Sequence, residues 1–231
     1  MIDQGAAMMP FDTALARVGG EPALTIAPQF ADAGQQREAA TLGMWIFLAT
    51  EVMFFGALFF AYAIARVQFP AAFAAASRHT NVVLGTTNTA VLLTSSLFMA
   101  LAVRSAAHGT RKGTTFLLVV TALLGVAFAG IKLTEYALDY RDHLVPVLDF
   151  AFDPHYARGA LIFFGLYFAT TGLHLVHLSV GVALVLTFAW RVWQARENAL
   201  ADQVEIVGLY WHFVDVVWIF LYPCLYLVSR T

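Results

Sequence analysis

The sequence predicts an all-α integral membrane protein, a bundle of five transmembrane helices. Three observations carry that expectation. Of the 231 residues, 60% are hydrophobic and only 12% charged, and the mean hydropathy is +0.73, far from the balance of a domain that folds in water. The apolar residues gather into five runs, about 41–65, 82–103, 115–138, 159–190 and 204–228. Each run is near or above the ~20 residues that cross a ~30 Å hydrocarbon layer. The connections between them leave no room for a soluble domain. A chain in hydrocarbon must satisfy its backbone hydrogen bonds internally, and helices do so within each segment.

Residues 1–40 read as a polar tail. They hold Pro10, Gly19, Gly20, Pro22 and Pro28, with no basic start leading into an apolar run and no small-residue cleavage pattern, so they do not read as a signal peptide. Residues 41–231 form the membrane domain.

The first apolar run carries Glu51 about ten residues in, followed by Phe54, Phe55, Phe59 and Phe60. An ionised carboxyl at that depth costs about 2.5–3.5 kcal/mol on insertion scales, so Glu51 needs a donor or a proton. Two roles fit it: an acid that handles protons or contacts lipid, or a carboxyl that fixes packing through a hydrogen bond. The second run is weakly polar, with Thr86, Thr87, Asn88, Thr89, Thr94, Ser95 and Ser96. Hydroxyls in lipid chiefly make helix–helix contacts. In the third run Lys132 and Glu135 stand three apart near one end, where they can pair.

The fourth run has 32 residues, about 48 Å as one helix, so it tilts or projects beyond the membrane. His174 and His177 lie on one face of it, and Gly165, Gly172 and Gly181 offer close approach to a neighbour. The fifth run, VEIVGLYWHFVDVVWIFLYPCLYLV, places His212 and Asp215 on one face and Trp211 and Trp218 on a neighbouring stripe. A carboxylate in mid-membrane must face protein or water, so this helix has a partner side.

Only His174, His177 and His212 fall within the helices, which favours hydrogen-bonded interior histidines over haem or metal ligation. The lone Cys224 excludes an internal disulfide and a thiolate metal cluster. A formal charge of −2 with no basic face gives no reason to expect nucleic acid. Without internal repeats, the chain lacks the plan of many secondary transporters.

Positive charge orients the bundle. An inward N-terminus places Arg17, Arg37, Arg104, Arg111, Lys112, Arg191 and Arg196 inside. Arg66, Arg78, Arg141, Arg158 and Arg230 are then outside. The expected topology is N-terminus cytoplasmic and C-terminus periplasmic in a bacterial inner membrane.

Three stretches taken together resemble one family. LGMWIFLATEVMFF in the first helix, KLTEY with ATTGLHLVHLSVG in the third and fourth, and GLYWHFVDVVWIFLYPCLYL in the fifth are similar to subunit III of the haem-copper terminal oxidases. Cytochrome c oxidase subunit III is the nearest match, and the likeness runs from about Thr41 to the C-terminus. The resemblance implies a subunit without a redox centre, bound beside a haem-copper subunit I, with haem and copper held by subunits I and II. Such a subunit sustains proton uptake, protects the enzyme during turnover and binds phospholipid. By position, Glu51 matches the family's buried acid, and Glu135 matches the acid of a later shared helix. His174 and His177 match its paired histidines, His212 and Asp215 match its last polar pair, and Arg191 matches a basic residue near lipid headgroups. The seven-helix form has two further helices before these five, bordering a lipid-filled cleft; here a polar tail stands in their place, as in five-helix bacterial versions.

The residues agree on what is missing, because no Cys pair suits a binuclear copper and no helical histidine set suits haem and copper. Two other readings stay open: an accessory subunit of a quinol oxidase or nitric oxide reductase, and a small transporter or proton channel lined by Glu51, Lys132, Glu135 and Asp215.

Overall fold

A computed structural model describes residues 30–146, 148–194 and 200–227. Most of the tail, with Arg17, and also Arg196, Val228 and Arg230, lie outside the described residues. Five helices are long and apolar enough to cross a membrane: α1 (Ala33–Gln68), α3 (Val82–Ala107), α4 (Arg111–Arg141), α5 (Ala157–Gln194) and α6 (Ala201–Tyr226). A short α2 (Pro70–Ser77) follows α1, and a two-stranded hairpin, β1 (Leu144–Val145) with β2 (Asp149–Phe150), joins α4 to α5.

The helices extend past the apolar runs. α1 starts at Ala33 rather than at Thr41, because the Asp32 side chain accepts from the Gln35 amide at 2.7 Å and Gln35 Oε1 accepts from the Ala31 amide at 2.7 Å. Such a capped polar turn needs no lipid to be stable. α4 continues to Arg141, beyond the apolar run that ends at 138, and so carries Asp139 into the bundle, 5% exposed. α5 reaches 38 residues, about 57 Å at 1.5 Å per residue, and so projects beyond the hydrocarbon.

α2 lies in the connection between the first two apolar runs. Pro70 forces Phe69 out of helical geometry (φ −128°, ψ 53°) and then opens the new helix at its first position. Phe73, Ala72 and Ala76 of α2 are buried. The helix lies against α5, where a Cβ added at Gly159 would fall 2.4 Å from the Ala72 Cβ.

Helices α3, α4, α5 and α6 pack in a closed ring, each against the next, and α1 leans on α5 and α6. Trp211 and Trp218 fill the ring's centre with Phe128, Tyr167 and Tyr226, all 1% exposed or less. Trp211 is seated by two glycines, since a Cβ at Gly125 would lie 2.7 Å from its ring and one at Gly181 would lie 3.2 Å away. Gly165 has nothing within 4 Å of such a Cβ, and Gly172 only the Tyr136 hydroxyl at 3.9 Å. Those two glycines therefore do not admit a neighbouring helix, because their side of α5 meets no close backbone or ring.

The alternation of helices brings the starts of α1, α4 and α6 and the ends of α3 and α5 to one side. Arg37 of α1 pairs with Asp202 of α6 at 2.8 Å there, and the Arg111 guanidinium lies 5.4 Å over the Trp193 ring. α1 turns much of its surface outward, including Trp45, Met53, Phe60 and Val67. Apolar exposure of that extent suits hydrocarbon.

Candidate functional site

The polar residues at membrane depth divide into three groups in different parts of the bundle. The first joins α1 to α5. His177 Nδ1 lies 2.8 Å from the Leu173 carbonyl, which can only accept, so Nδ1 carries a hydrogen. His177 Nε2 lies 3.0 Å from Glu51 Oε2, with both side chains less than one-fifth exposed. A hydrogen bond there requires one proton, held either by the acid facing a neutral imidazole or by an imidazolium facing a carboxylate. Phe55 packs edge-on against the imidazole at 5.2 Å, and the Tyr210 hydroxyl donates to the His177 carbonyl at 2.9 Å. The site is a one-proton carboxyl–imidazole pair, walled by aromatic rings.

The second group joins α4, α5 and α6 near the hairpin end. Lys132, 0% exposed, donates to Glu135 Oε2 at 3.1 Å, to the Tyr167 hydroxyl at 2.9 Å and to the Tyr226 hydroxyl at 2.7 Å. Those three acceptors match the three donors of an ammonium. The Tyr226 hydroxyl donates in turn to the Glu135 carboxylate (2.8 and 2.9 Å), and the Tyr167 hydroxyl donates to Asp139 Oδ2 at 3.0 Å. Nζ lies off the hydroxyl ends of both tyrosine rings, 4.4 Å from the Tyr167 centroid and 5.3 Å from that of Tyr226. Lys132 and Glu135 do pair, and the sequence reading missed the other three members. The spacing of Lys132, Glu135 and Asp139 along one helical face is the signal that reaches Asp139. No local pattern points to Tyr167 or Tyr226.

The third group lies between α6 and α3. His212 Nδ1 is 2.9 Å from Ser96 Oγ and 3.7 Å from Asp215 Oδ2. Asp215 is buried, and neither of its oxygens has a hydrogen bond among the described residues. His212 was expected inside the bundle, yet its side chain is 38% exposed. One turn of helix separates the two side chains by about 60° around the axis, enough to turn one inward and the other to the rim.

His174 and His177 part in the same way. His177 turns to α1, while His174 is 1% exposed between Phe128 (5.6 Å) and Trp218 (5.2 Å), with both ring nitrogens unpartnered among the described residues. Glu135, His174, His177, His212 and Asp215 thus do not form one network. Arg191, in the last turn of α5, lies 5.2 Å over Phe188 beside the exposed Trp190 and Trp193. Among the described residues, no three His, Cys, Asp or Glu side chains are placed to hold a metal ion.

The sequence matches the family model of cytochrome c oxidase subunit III over residues 32–230. The chain belongs to that family. Subunit III proteins of two oxidase types are similar to it. Subunit 3 of the cytochrome bo(3) ubiquinol oxidase of Pseudomonas aeruginosa is 30% identical over 188 residues, covering 81% of this chain and 84% of that one. Cytochrome c oxidase subunit 3 of Thermostichus vulcanus is 28% identical over 197 residues (82% and 87%), and that of Emericella nidulans is 30% identical over 201 residues (82% and 68%). The chain is a subunit III of the haem-copper oxidases, and the five-helix bundle is its membrane domain. The stretches that carried the resemblance hold its polar groups: Glu51 in the first, Lys132, Glu135, His174 and His177 in the second, His212 and Asp215 in the third.

Proposed function

We propose that this chain is a non-catalytic subunit of an aerobic terminal oxidase that takes electrons from cytochrome c, reduces oxygen to water and translocates protons. Haem and copper belong to its partners, subunits I and II, and the subunit lies against the side of subunit I. The Glu51–His177 pair is the observation that carries its role. A carboxyl and an imidazole that share one proton at membrane depth can release or accept it with little rearrangement, which suits a group that sustains proton uptake by a neighbour.

Bound phospholipid completes the reading. Arg191, stacked on Phe188 between two outward tryptophans, sits where a lipid phosphate would meet the end of α5. The N-terminus lies in the cytoplasm and the C-terminus in the periplasm of a bacterial inner membrane. That orientation puts Arg37, Arg104, Arg111, Lys112 and Arg191 on the inner side.

The test is purification in mild detergent through a tag on this chain. A stoichiometric haem-absorbing partner that oxidises reduced cytochrome c is the expected result. A haem partner that oxidises only quinol would transfer the chain to a quinol oxidase, and a colourless protein that moves solute by itself would end the oxidase reading. Within the assembled enzyme, Glu51→Gln should leave subunit content unchanged while slowing proton uptake or shortening the active lifetime. Unchanged kinetics and lifetime would leave Glu51 as a packing group.

A further inference from the structure

We propose that the seam between α3 and α6 around Ser96 and His212 is the face covered by the haem-bearing subunit, through a hydrogen bond from His212 to a polar side chain on one of that subunit's membrane helices. The proposal deepens the terminal-oxidase reading above and rests on it.

His212 stands at the twelfth position of the 26-residue α6, about 17 Å along a helix of about 39 Å and so near mid-membrane. Its side chain is 38% exposed, and Nδ1 is engaged with Ser96 Oγ at 2.9 Å. Nε2 has no partner among the described residues. If Nδ1 accepts from Ser96, Nε2 carries the hydrogen; if Nδ1 donates, Nε2 has a free lone pair. Either tautomer leaves one hydrogen bond to be made outward.

Five outward-facing hydroxyls elsewhere in the spans are already satisfied. Thr50, Thr94, Thr134, Ser179 and Thr187 are exposed, and each hydroxyl returns to a carbonyl of its own helix at 2.6–2.9 Å. Those walls suit lipid, which neither donates nor accepts. The wall at His212 does not, because acyl chains offer nothing to Nε2 and headgroups do not reach mid-membrane. Along the same side of α6, Val216 (47% exposed) and Ile219 (45%) continue the stripe as apolar contact surface. Buried beside His212, Asp215 with its unbonded oxygens gives the imidazole a reason to hold its position, since an imidazole turned toward Oδ2 keeps Nε2 directed away from the bundle.

The experiment uses the whole oxidase in its native membrane. A photo-crosslinking amino acid, p-benzoylphenylalanine, is placed at Val216 or Ile219, and at the exposed Leu123 or Val126 of α4 as the opposite wall. Crosslinks to the haem-bearing subunit from Val216 and Ile219, and none from Leu123 or Val126, are expected. Crosslinks from α4 alone, or from Val216 to a second copy of this chain, would overturn the proposal while the oxidase reading stands. Failure of the unsubstituted tagged chain to bring down any haem protein would defeat the oxidase reading itself, and the proposal with it. For the hydrogen bond, His212→Leu should lower retention of the haem subunit through detergent washes about tenfold at equal membrane levels of the chain. His212→Gln, which keeps a polar end, should restore most of it. Equal retention in both variants would remove the hydrogen bond from the interface.

Discussion

Glu51 of α1 and His177 of α5, separated by 126 positions in sequence, meet at 3.0 Å. Because the other imidazole nitrogen is tied to the Leu173 carbonyl, the pair holds one shareable proton and binds the loosely packed α1 to the ring of four helices. His177→Leu should strand the carboxyl and loosen α1, costing about 1–3 kcal/mol of assembly stability for the unsatisfied group. The double variant Glu51→Leu with His177→Leu should regain most of that loss. Thermal dissociation of the purified complex measures both, and a double variant as weak as the single one would show that the pair contributes nothing beyond packing.

Removing the ammonium from the α4–α5–α6 cluster should be more damaging. Lys132→Met leaves Glu135 and Asp139 without their cation in a site closed to water, and breaking a buried pair by one partner costs about 3–5 kcal/mol. Combining Lys132→Met with Glu135→Leu and Asp139→Leu should recover stability, because no buried charge then stands alone. The chain's resistance to heat aggregation within the complex is the readout.

The two tyrosine hydroxyls should differ. Tyr226 accepts from Lys132 and reaches both oxygens of Glu135, whereas Tyr167 accepts from Lys132 and supports Asp139. Each Tyr→Phe change should cost about 1–3 kcal/mol, with Tyr226→Phe the larger, because it leaves two members of the ion pair short of a bond. Equal and negligible effects in the same thermal assay would contradict the bonding pattern.

Glycine substitutions test the packing of the ring. Gly125→Val drives a branched side chain into the Trp211 indole, already 2.7 Å from a Cβ at that position, and should cost at least the ~1–3 kcal/mol of an overpacked core. Gly165→Ala meets open space and should be neutral or slightly stabilising, by up to about 1 kcal/mol, through helix propensity. Yields of folded chain in membranes and thermal midpoints report both.

Five spanning helices were legible from apolar run length alone, because hydrocarbon leaves a chain few other ways to satisfy its backbone. Their ends were less so. The extension of α1 back to Ala33 depends on a polar cap, α2 on a proline that both ends and begins a helix, and the last turns of α4 on Asp139 finding a tyrosine. Hydropathy is blind to all three.

The candidate residues were legible as types and depths. Lys132 and Glu135 could be paired by spacing, and the Trp211–Trp218 stripe proved to be the core. Spacing failed for His174 with His177 and for His212 with Asp215, where two side chains three positions apart straddle the edge between the bundle's interior and its rim.

By itself the sequence determined that five segments among the described residues are long and apolar enough to cross a membrane, which family the chain belongs to, and that ionisable groups lie at depths where each needs a partner. Tertiary structure alone decided the partners: His177 for Glu51, Tyr167 and Tyr226 for Lys132, and an open nitrogen on His212. The reason is geometric. Depth in the bilayer follows from position along one helix, whereas a hydrogen-bond partner follows from how separate helices rotate and lean on one another, which no single stretch of residues encodes.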